Sequence, residues 1–392
     1  AILIGELLSP NNKLFDIQLK GAGRTPYSRS GDGRATLSSM LREYIISESM
    51  YHLKIPTTRS LAVISSGEKV YREKAFDGGI LARIASSHIR VGTFEYVQNI
   101  SSKSDLEIFI RYVLKRHYPE LIDLKYPFLE MLRSVMIKQI DLVISWLRVG
   151  FIHGVMNTDN MSISGETIDY GPCAFMNSYK PNTVFSSIDR NGRYSFMNQP
   201  KIAHWNLAVF AGTLLPVISD DKEEAVKIVK EVLDTFGEIF TEKWYHMMSK
   251  KIGIKDFREN DKELIDKLLL LMEKYNIDYT NFFIMLRFNN FLNQNFSNTI
   301  EFKLWYELWQ NRVQKTGNRD SIFNLMESQN PFIIPRNHLV EKALEDASNG
   351  NKKYFDDLLE LVSSPYNYNR GLEFIQNIPK DHDKSYKTYC GT

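Results

Sequence analysis

The chain has 392 residues, 43% of them hydrophobic and 24% charged, so it is long enough for two domains with substantial cores. Its net charge of +2 at pH 7 gives no strong field for nucleic acid or an anionic membrane, and no run of 18 apolar residues predicts a transmembrane helix. With only two cysteines, no HExxH motif and no Cys/His cluster, the sequence argues against a disulfide-stapled secreted fold and against a zinc site.

The first hundred residues predict a mostly β region with one helix. Residues 14–20 alternate apolar and polar side chains, as a half-buried strand does, and this strand ends at Lys20. After a polar loop, the apolar stripe of residues 37–53 predicts a helix that carries Glu43. The other predicted strands are 61–64 and 70–74, joined by a hairpin turn at Ser66-Gly67, and 80–85.

From about residue 104 the pattern becomes helical. The strongest helix is predicted from Pro127 to Val149, with Pro at its start, an apolar stripe along its length and Gly150 as its stop. The other predicted helices are 203–215, 221–239, 260–275, 278–295, 300–312 and 337–362. A β-rich lobe followed by a helical lobe is the order found in protein kinases.

We therefore expect an α+β, two-lobed, protein-kinase-like fold. The expected parts are an N-lobe over residues 1–100, a helical C-lobe over 101–325, and a C-terminal helical extension with a polar tail over 326–392.

The segment beginning at His153 has the layout of a kinase catalytic loop with one position changed. In protein kinases an Asn follows seven residues after the His of His-Arg-Asp, and Asn160 stands at that distance from His153. The base Asp of that motif would stand two residues after the His, where this chain has Val155. Two short strands turning at Gly165-Glu166 would then deliver Asp169-Tyr-Gly171 where a kinase has Asp-Phe-Gly.

The residues of this segment suggest a metal site and a displaced base. Asn160 and Asp169 are the candidate Mg²⁺ ligands, because Mg²⁺ prefers hard oxygen donors and completes its shell with phosphate and water. Asp159 is placed to orient or deprotonate an acceptor hydroxyl in place of the base absent at Val155. A turn or a helix cap is the alternative explanation of an isolated Asp-Asn pair. We expect His153 to be structural.

Basic residues of the N-lobe are candidates for binding phosphate. Lys20 ends a strand as the lysine of Val-Ala-Ile-Lys does in kinases, and Glu43 lies in the next helix, where a kinase keeps the partner of that lysine. A solvated lysine and a surface carboxylate are the alternatives. Arg83 lies within an apolar strand, where a guanidinium group needs water or a partner such as phosphate. Arg90 is a weaker candidate of the same kind.

Longer motifs give a more specific resemblance. They are Leu19-Lys-Gly-Ala-Gly-Arg-Thr-Pro-Tyr-Ser-Arg29, Gly31-Asp-Gly-Arg-Ala35, Ile55-Pro-Thr-Thr-Arg59, His153-Gly-Val-Met-Asn-Thr-Asp-Asn-Met161, Asp169-Tyr-Gly-Pro-Cys-Ala-Phe175 and Asn330-Pro-Phe-Ile-Ile-Pro-Arg336. Through them the chain resembles the selenoprotein O family, most strongly over residues 15–175. The resemblance implies a kinase-fold protein adenylyltransferase, which transfers AMP from ATP to Ser, Thr or Tyr hydroxyls. It also implies a nucleotide that is flipped relative to kinases, with its α-phosphate facing the acceptor.

The resemblance assigns roles residue by residue. It implies Lys20 as the phosphate lysine, Glu43 as its partner, Asp32 and Gly33 as a nucleotide-contacting loop, Arg83 and Arg90 as phosphate arginines, Asp159 as the base, and Asn160 and Asp169 as Mg²⁺ ligands. Because the chain begins with Ala1 and not Met, we expect its natural start to precede that residue. Family members carry a further nucleotide-binding Gly-Asp-Gly-Arg stretch at that place.

Cys173 and Cys390 are the only cysteines of the chain. They form a candidate redox pair, with a buried thiol and an unrelated tail thiol as the alternative. The family resemblance implies that the pair is a regulatory disulfide, with Cys390 in the place of the selenocysteine of animal members.

The expected partners and rival functions follow. We expect ATP as a substrate, Mg²⁺ (or Mn²⁺) as the metal, protein substrates, no nucleic-acid or membrane partner, a monomer, and a cytoplasmic location (mitochondrial in a eukaryote). One rival is an ATP-dependent protein kinase that uses Asp159 as its base. The other is a non-catalytic, nucleotide-binding pseudokinase module. Transfer of label from the α or the γ position of ATP distinguishes these functions.

Overall fold

The computed structural model describes residues 1–28, 31–372, 375–379, 383 and 386–389. A β-rich N-terminal region precedes a helical region, which confirms the expected two-lobed α+β fold. The boundaries proposed at residues 100 and 325 stay predictions.

An antiparallel sheet and one helix form the N-lobe. Its elements are β1 (Ile2–Leu8), β2 (Leu14–Lys20), β3 (Ala35–Thr36), α1 (Leu37–His52), β4 (Arg59–Tyr71) and β5 (Ala75–Ala85). β5 is central, because it pairs with β2, β3 and β4, and α1 packs across β4 and β5. In the β2–β5 register Gln18 lies opposite Arg83 and Lys20 opposite Leu81. Since alternate residues of a strand share a face, Lys20 and Arg83 lie on the same face of the sheet.

The predicted hairpin turn at Ser66-Gly67 is wrong. β4 continues through these residues to Tyr71, and the chain turns into β5 only after it. The register with β5 shifts between Ser65 and Lys69, and Gly67 has a left-handed φ of 72°. The glycine therefore serves a bulge, which is the other common use of such a residue in a strand.

The region after β5 is almost entirely helical. Its helices are α2 (Val91–Ile100), α3 (Lys103–His117), α4 (Pro127–Val149), α5 (Gln199–Ile218), α6 (Lys222–Leu233), α7 (Phe236–Lys251), α8 (Asp261–Lys274), α9 (Tyr279–Phe288), α10 (Ile300–Val313), α11 (Arg319–Gln329), α12 (Asn337–Ser348) and α13 (Lys353–Val362). The bounds of α4 confirm the prediction, and Gly150 ends it in a left-handed conformation.

Several helix predictions were wrong in detail. The predicted helix 221–239 is divided into α6 and α7, and 337–362 is divided into α12 and α13, with Gly350 at φ 88° between them. The predicted helix 278–295 ends with α9 at Phe288, because Asn289 adopts a left-handed cap. Sequence patterns did not predict α2 or α11.

Two short strands lie at the two ends of the catalytic segment. β6 (Phe151–Ile152) pairs antiparallel with β7 (Ala174–Phe175), so the segment between them leaves and returns at one place. The two strands predicted around Gly165 do not pair with each other. Instead, Ser162 bridges to Arg90 and Thr167 bridges to Thr57. These bridges join the catalytic segment to Arg90, just before α2, and to Thr57 of the N-lobe.

The helix pair α12–α13 packs against α1, so residues far along the chain support the N-lobe helix that carries Glu43. By length and composition alone, the stretch Phe196–Ile218 could cross a membrane, which is weak evidence because core helices pass the same test. It packs against α2, α4 and α6, as a core helix does.

Candidate active site

A cluster of four charged side chains lies where the lobes meet. Lys20 Nζ is 2.7 Å from Glu43 Oε2 and also donates to Asp169 Oδ1. Arg83 Nη1 is 3.1 Å from Glu43 Oε1 and 3.8 Å from Asp169 Oδ1, and its Nη2 donates to Gln18 Oε1 at 2.5 Å. Strands β2 and β5 supply the cations, α1 supplies Glu43, and the loop before β7 supplies Asp169. The structure thus brings together four of the residues singled out by sequence.

Burial and pairing oppose each other in this cluster. Burial disfavours the charge of Lys20, but the carboxylates of Asp169 and Glu43 outweigh that effect and raise the pKa of Lys20 above its usual value. Burial would likewise raise the pKa of Asp169, but Lys20 and then Arg83 hold it well below the ordinary range. Both groups are therefore ionised at neutral pH, as phosphate and metal binding require.

The backbone around Asp169 is held from several sides. Asp169 has φ 69°, a left-handed conformation that costs free energy in a residue other than glycine. Its preceding carbonyl, of Ile168, lies 2.9 Å from His153 Nε2, and the hydroxyl of Tyr170 bonds that of Thr57. His153 is fully buried, and burial lowers its pKa. These contacts fix the direction of the Asp169 carboxylate.

The candidate base lies in a short 3-10 turn, Thr158–Asn160, beneath the start of α2. The side-chain amide nitrogen of Asn160 donates a hydrogen bond to the Val155 carbonyl oxygen at 2.9 Å. The side-chain oxygen of Asn160 is therefore the atom that could coordinate a cation. Arg90 Nη1 donates to the carbonyl oxygen of Asp159 at 3.0 Å. Arg90 thus contacts the base loop directly, in addition to lying near Arg83.

The loop that carries Asp32 and Gly33 contacts other described residues than those of the four-residue cluster. Asp32 accepts from both terminal nitrogens of Arg72, at 2.9 and 3.0 Å, and these hydrogen bonds lower the pKa of Asp32 to about 2. Gly33 has φ 69°, and a Cβ there would lie 2.1 Å from the Gly23 carbonyl oxygen, so only glycine fits. The backbone at Gly33 is therefore closely packed against the backbone at Gly23.

Sequence analysis did not identify Arg42 as a residue of this region. Arg42 precedes Glu43 in α1. Its buried side chain donates to the Cys173 carbonyl at 2.6 Å and to Glu341 Oε1 at 2.8 Å. Arg42 thereby links α1, the loop after Asp169 and α12. No local signal in the sequence indicates this, because both partners are more than a hundred residues away.

Cys173 is a buried free thiol, and burial raises its pKa to about 11. Cys390 lies outside the described residues. Nearby, Thr388 donates through its hydroxyl to the Pro172 carbonyl at 2.7 Å. Among the residues described, no group of three or more His, Cys, Asp and Glu side chains could hold a metal ion.

The site combines the Lys-Glu pair and the Asp-Tyr-Gly loop of a kinase-like fold, but Val155 stands where a kinase has its base Asp. These features define a nucleotide-dependent transferase whose chemistry differs from that of a kinase. The family described as Protein adenylyltransferase SelO matches residues 1–363. This chain belongs to that family, and its enzyme class is that of the nucleotidyltransferases.

Curated relatives agree with the family match. "Protein nucleotidyltransferase YdiU" of Clostridium perfringens (strain 13 / Type A) is 51% identical over 100% of this chain and 80% of its own length. The proteins of the same description from Pelagibacter ubique (strain HTCC1062) and Bacillus mycoides (strain KBAB4) are 52% and 51% identical, each over 100% of this chain and 81% of their own length. The similarity therefore extends over both lobes and the C-terminal helices.

Proposed function

We propose that this protein transfers AMP from ATP to a hydroxyl group of a protein Ser, Thr or Tyr side chain, releasing pyrophosphate. The observation that carries the assignment of residues is the four-residue cluster of Lys20, Glu43, Arg83 and Asp169. It provides two cations on one sheet face and a carboxylate that the opposite lobe presents to them. The family match supports adenylyl transfer as the reaction of this site.

Lys20 and Arg83 bind phosphate oxygens in this proposal, and Glu43 holds both cations in place. A guanidinium group and an ammonium group on one rigid sheet stabilise charge that develops on the phosphorus oxygens and on the leaving pyrophosphate. Such fixed charges act strongly because the site is largely shielded from water. Arg90 extends the cationic surface toward the base loop, and Asp32 with Gly33 contributes a neighbouring nucleotide contact.

Asp159 receives the proton of the acceptor hydroxyl as the oxygen attacks the α-phosphorus. It replaces the kinase base, whose position is occupied by Val155. The short turn that carries Asp159 is anchored by Arg90, which donates to the backbone carbonyl of Asp159.

Asn160 and Asp169 hold a divalent cation, which we propose to be Mg²⁺. An amide oxygen and a carboxylate oxygen are hard donors, and a pair of protein ligands is usual for Mg²⁺ beside a nucleotide. The orientation of Asn160 by Val155 and the fixed backbone of Asp169 fit this use. When bound, the cation neutralises and orients the phosphate oxygens.

Cys173 and Cys390 are proposed as a regulatory redox pair. Loss of two electrons and two protons to an oxidant such as glutathione disulfide would join the two sulfurs. The hydrogen bond from Thr388 to Pro172 supports proximity of the tail to Cys173. Mass spectrometry of peptides from oxidised protein tests the pair, and recovery of both thiols unmodified would contradict it.

Labelled ATP tests the reaction itself. The protein is incubated with Mg²⁺, an acceptor protein mixture and ATP labelled at either the α or the γ position. We expect protein-bound label from the α position alone. Label from the γ position would instead support a protein kinase, and no label from either position, under reducing and oxidising conditions, would support the non-catalytic module.

A pair of matched variants tests the site. Asp169→Asn removes a carboxylate of the cluster, and Asp220→Asn removes one whose side chain is 94% exposed and pairs with Lys103 at the surface. We expect Asp169→Asn to reduce transfer by about 100-fold or more, the scale for losing one preorganised group that stabilises transition-state charge. Asp220→Asn should retain it. Full activity in Asp169→Asn would disprove the assigned role.

A further inference from the structure

The start of α2 is in unusually close contact with the candidate base. Gly92 is the second residue of α2, and a Cβ added there would lie 2.5 Å from Asp159 Oδ1 and 3.3 Å from its Cγ. Real Cβ atoms do not approach another heavy atom at 2.5 Å, so any side chain at position 92 must displace the Asp159 carboxylate. The backbone nitrogen of Asp159 lies 3.5 Å from the same added Cβ, an ordinary contact distance, so the clash is with the carboxylate and not with the backbone.

The contact lies beside a set of hydrogen bonds that join the two segments. Arg90 Nη1 donates to the Asp159 carbonyl at 3.0 Å, and the Val91 amide donates to the Met161 carbonyl at 3.0 Å. Further along, the Ile163 amide donates to the Ile89 carbonyl at 3.0 Å. These bonds join residues 89–91, which lead into α2, to the segment that carries Asp159, and so hold the two segments close together.

The backbone conformation does not explain why residue 92 is a glycine. Gly92 is absent from the described residues with positive φ, so an L-residue fits its backbone without strain. Within a helix, alanine is the better residue, and glycine lowers helix stability. The feature that this glycine does provide is the space occupied by the Asp159 carboxylate.

We propose that Gly92 is a positioning residue for the transfer reaction, which places the Asp159 carboxylate by leaving it room against the first turn of α2. This inference rests on the proposed function of Asp159 as the base. A general base must stand within hydrogen-bonding reach of the proton that it removes, and small displacements from that geometry lower the rate steeply. The absence of a side chain at position 92 therefore determines where the Asp159 carboxylate can lie.

The test compares Gly92→Ala with helix glycines that have open space. Gly212 in α5 and Gly237 in α7 have no heavy atom within 4 Å of an added Cβ, so Gly212→Ala and Gly237→Ala are matched controls. We expect Gly92→Ala to lower kcat for AMP transfer by about 100-fold, the scale of a 1 Å misplacement, with KM for ATP nearly unchanged. Its melting temperature should be equal to or higher than that of the wild type. The controls should keep the wild-type kcat.

Two further measurements separate positioning from a general structural effect. Gly92→Ser adds a larger group and should reduce kcat further, at an unchanged KM for ATP. In an Asp159→Asn background, Gly92→Ala should have almost no additional effect, because the group that it displaces is no longer a base.

The outcomes are distinct for this inference and for the function on which it rests. Wild-type AMP transfer that is insensitive to Gly92→Ala would overturn the inference and leave the proposed function standing. Equal losses in Gly92→Ala and in the control variants, or full additivity with Asp159→Asn, would also overturn it. Absence of AMP transfer by the wild type would overturn both.

Discussion

Two buried arginines show how differently this chain uses the same side chain. Arg336, at the start of α12, is fully buried and forms a two-pronged ion pair with Asp278, at 2.7 and 2.9 Å, and further hydrogen bonds with Asn177 and Asn281. Arg83, in the cleft, shares the carboxylate of Glu43 with Lys20. Both leave Nε without a partner among the described residues, so the difference lies in the carboxylates.

An arginine whose charge is balanced by its own carboxylate partner, as Arg336 is by Asp278, stabilises the fold. Two cations that share one carboxylate keep a surplus of positive charge, which an anion can satisfy. Asp169 of the opposite lobe balances this surplus, so the positive charge beside Glu43 depends on a side chain that is 30% exposed. The comparison therefore separates a structural ion pair from a binding site on the basis of charge sharing.

The largest expected effect is on the structural pair. Arg336→Met leaves the Asp278 carboxylate buried without its cation, and losing one partner of a buried pair destabilises a protein by about 3–5 kcal/mol. The free energy of unfolding, measured by denaturant titration, should fall by that amount. A loss of unfolding free energy below about 1 kcal/mol would show that the Arg336–Asp278 pair contributes no more than an exposed ion pair does.

The same substitution in the cleft should affect binding more than stability. Arg83→Met leaves Glu43 paired with Lys20, so no carboxylate loses its last cation, and the unfolding free energy should change little. A charged hydrogen bond contributes about 1.5–3 kcal/mol, so ATP affinity measured by calorimetry should fall by roughly 10- to 100-fold. A stability loss equal to that of Arg336→Met would remove the distinction between the two sites.

Lys251 extends the comparison to a cation that meets no carboxylate among its described contacts. Its Nζ donates to the Arg148 carbonyl at 2.7 Å and lies over the rings of Tyr279 and Phe283, and burial lowers its pKa well below the usual value. The unfolded chain then binds more protons than the folded one, so stability rises with pH up to the unfolded pKa near 10.4.

Denaturation of the wild type and Lys251→Met at pH 8 and pH 9 measures this effect. The wild type should gain up to about 1.4 kcal/mol relative to the variant for that unit of pH. Parallel curves for the two proteins would show that Lys251 stays protonated in the fold.

The smallest effect is expected at the Asp32–Arg72 pair. The pKa of Asp32 is lowered to about 2, so its stabilising contribution is present above the unfolded pKa near 3.9 and is lost as the pH falls through about 2. Its side chain is 44% exposed, and solvent screening limits the pair to about 1 kcal/mol or less. Arg72→Ala should reduce stability by no more than that at pH 7, and the difference should vanish near pH 2.

Local patterns predicted the elements of the site well. The alternation of β2, the stripe of α1 and the stripe of α4 depend on neighbours a few residues apart, and all three were found where expected. The spacing from His153 to Asn160 and Asp169 likewise described one continuous segment. The polar face of β2, with Asp16, Gln18 and Lys20, proved to be the buried one, which alternation alone does not reveal.

Contacts between distant segments could not be predicted. Gly92 is recognisable only when Asp159 lies against it, and Arg42 only when Cys173 and Glu341 surround it. The bulge at Gly67 was interpreted as a turn because the same glycine chemistry serves both, and pairing with β5 decides between them.

The packing of α12 and α13 on α1 has a consequence for the order of events during synthesis. Chains emerge from the ribosome from the N-terminus, and N-terminal domains generally fold first. Here the helix that carries Glu43 lacks part of its packing surface until residues 337–362 have been made, and Arg42 lacks Glu341 until the same moment. The nascent N-lobe therefore reaches its final arrangement late in translation, so completion of the cleft is coupled to synthesis of the helices that pack on α1.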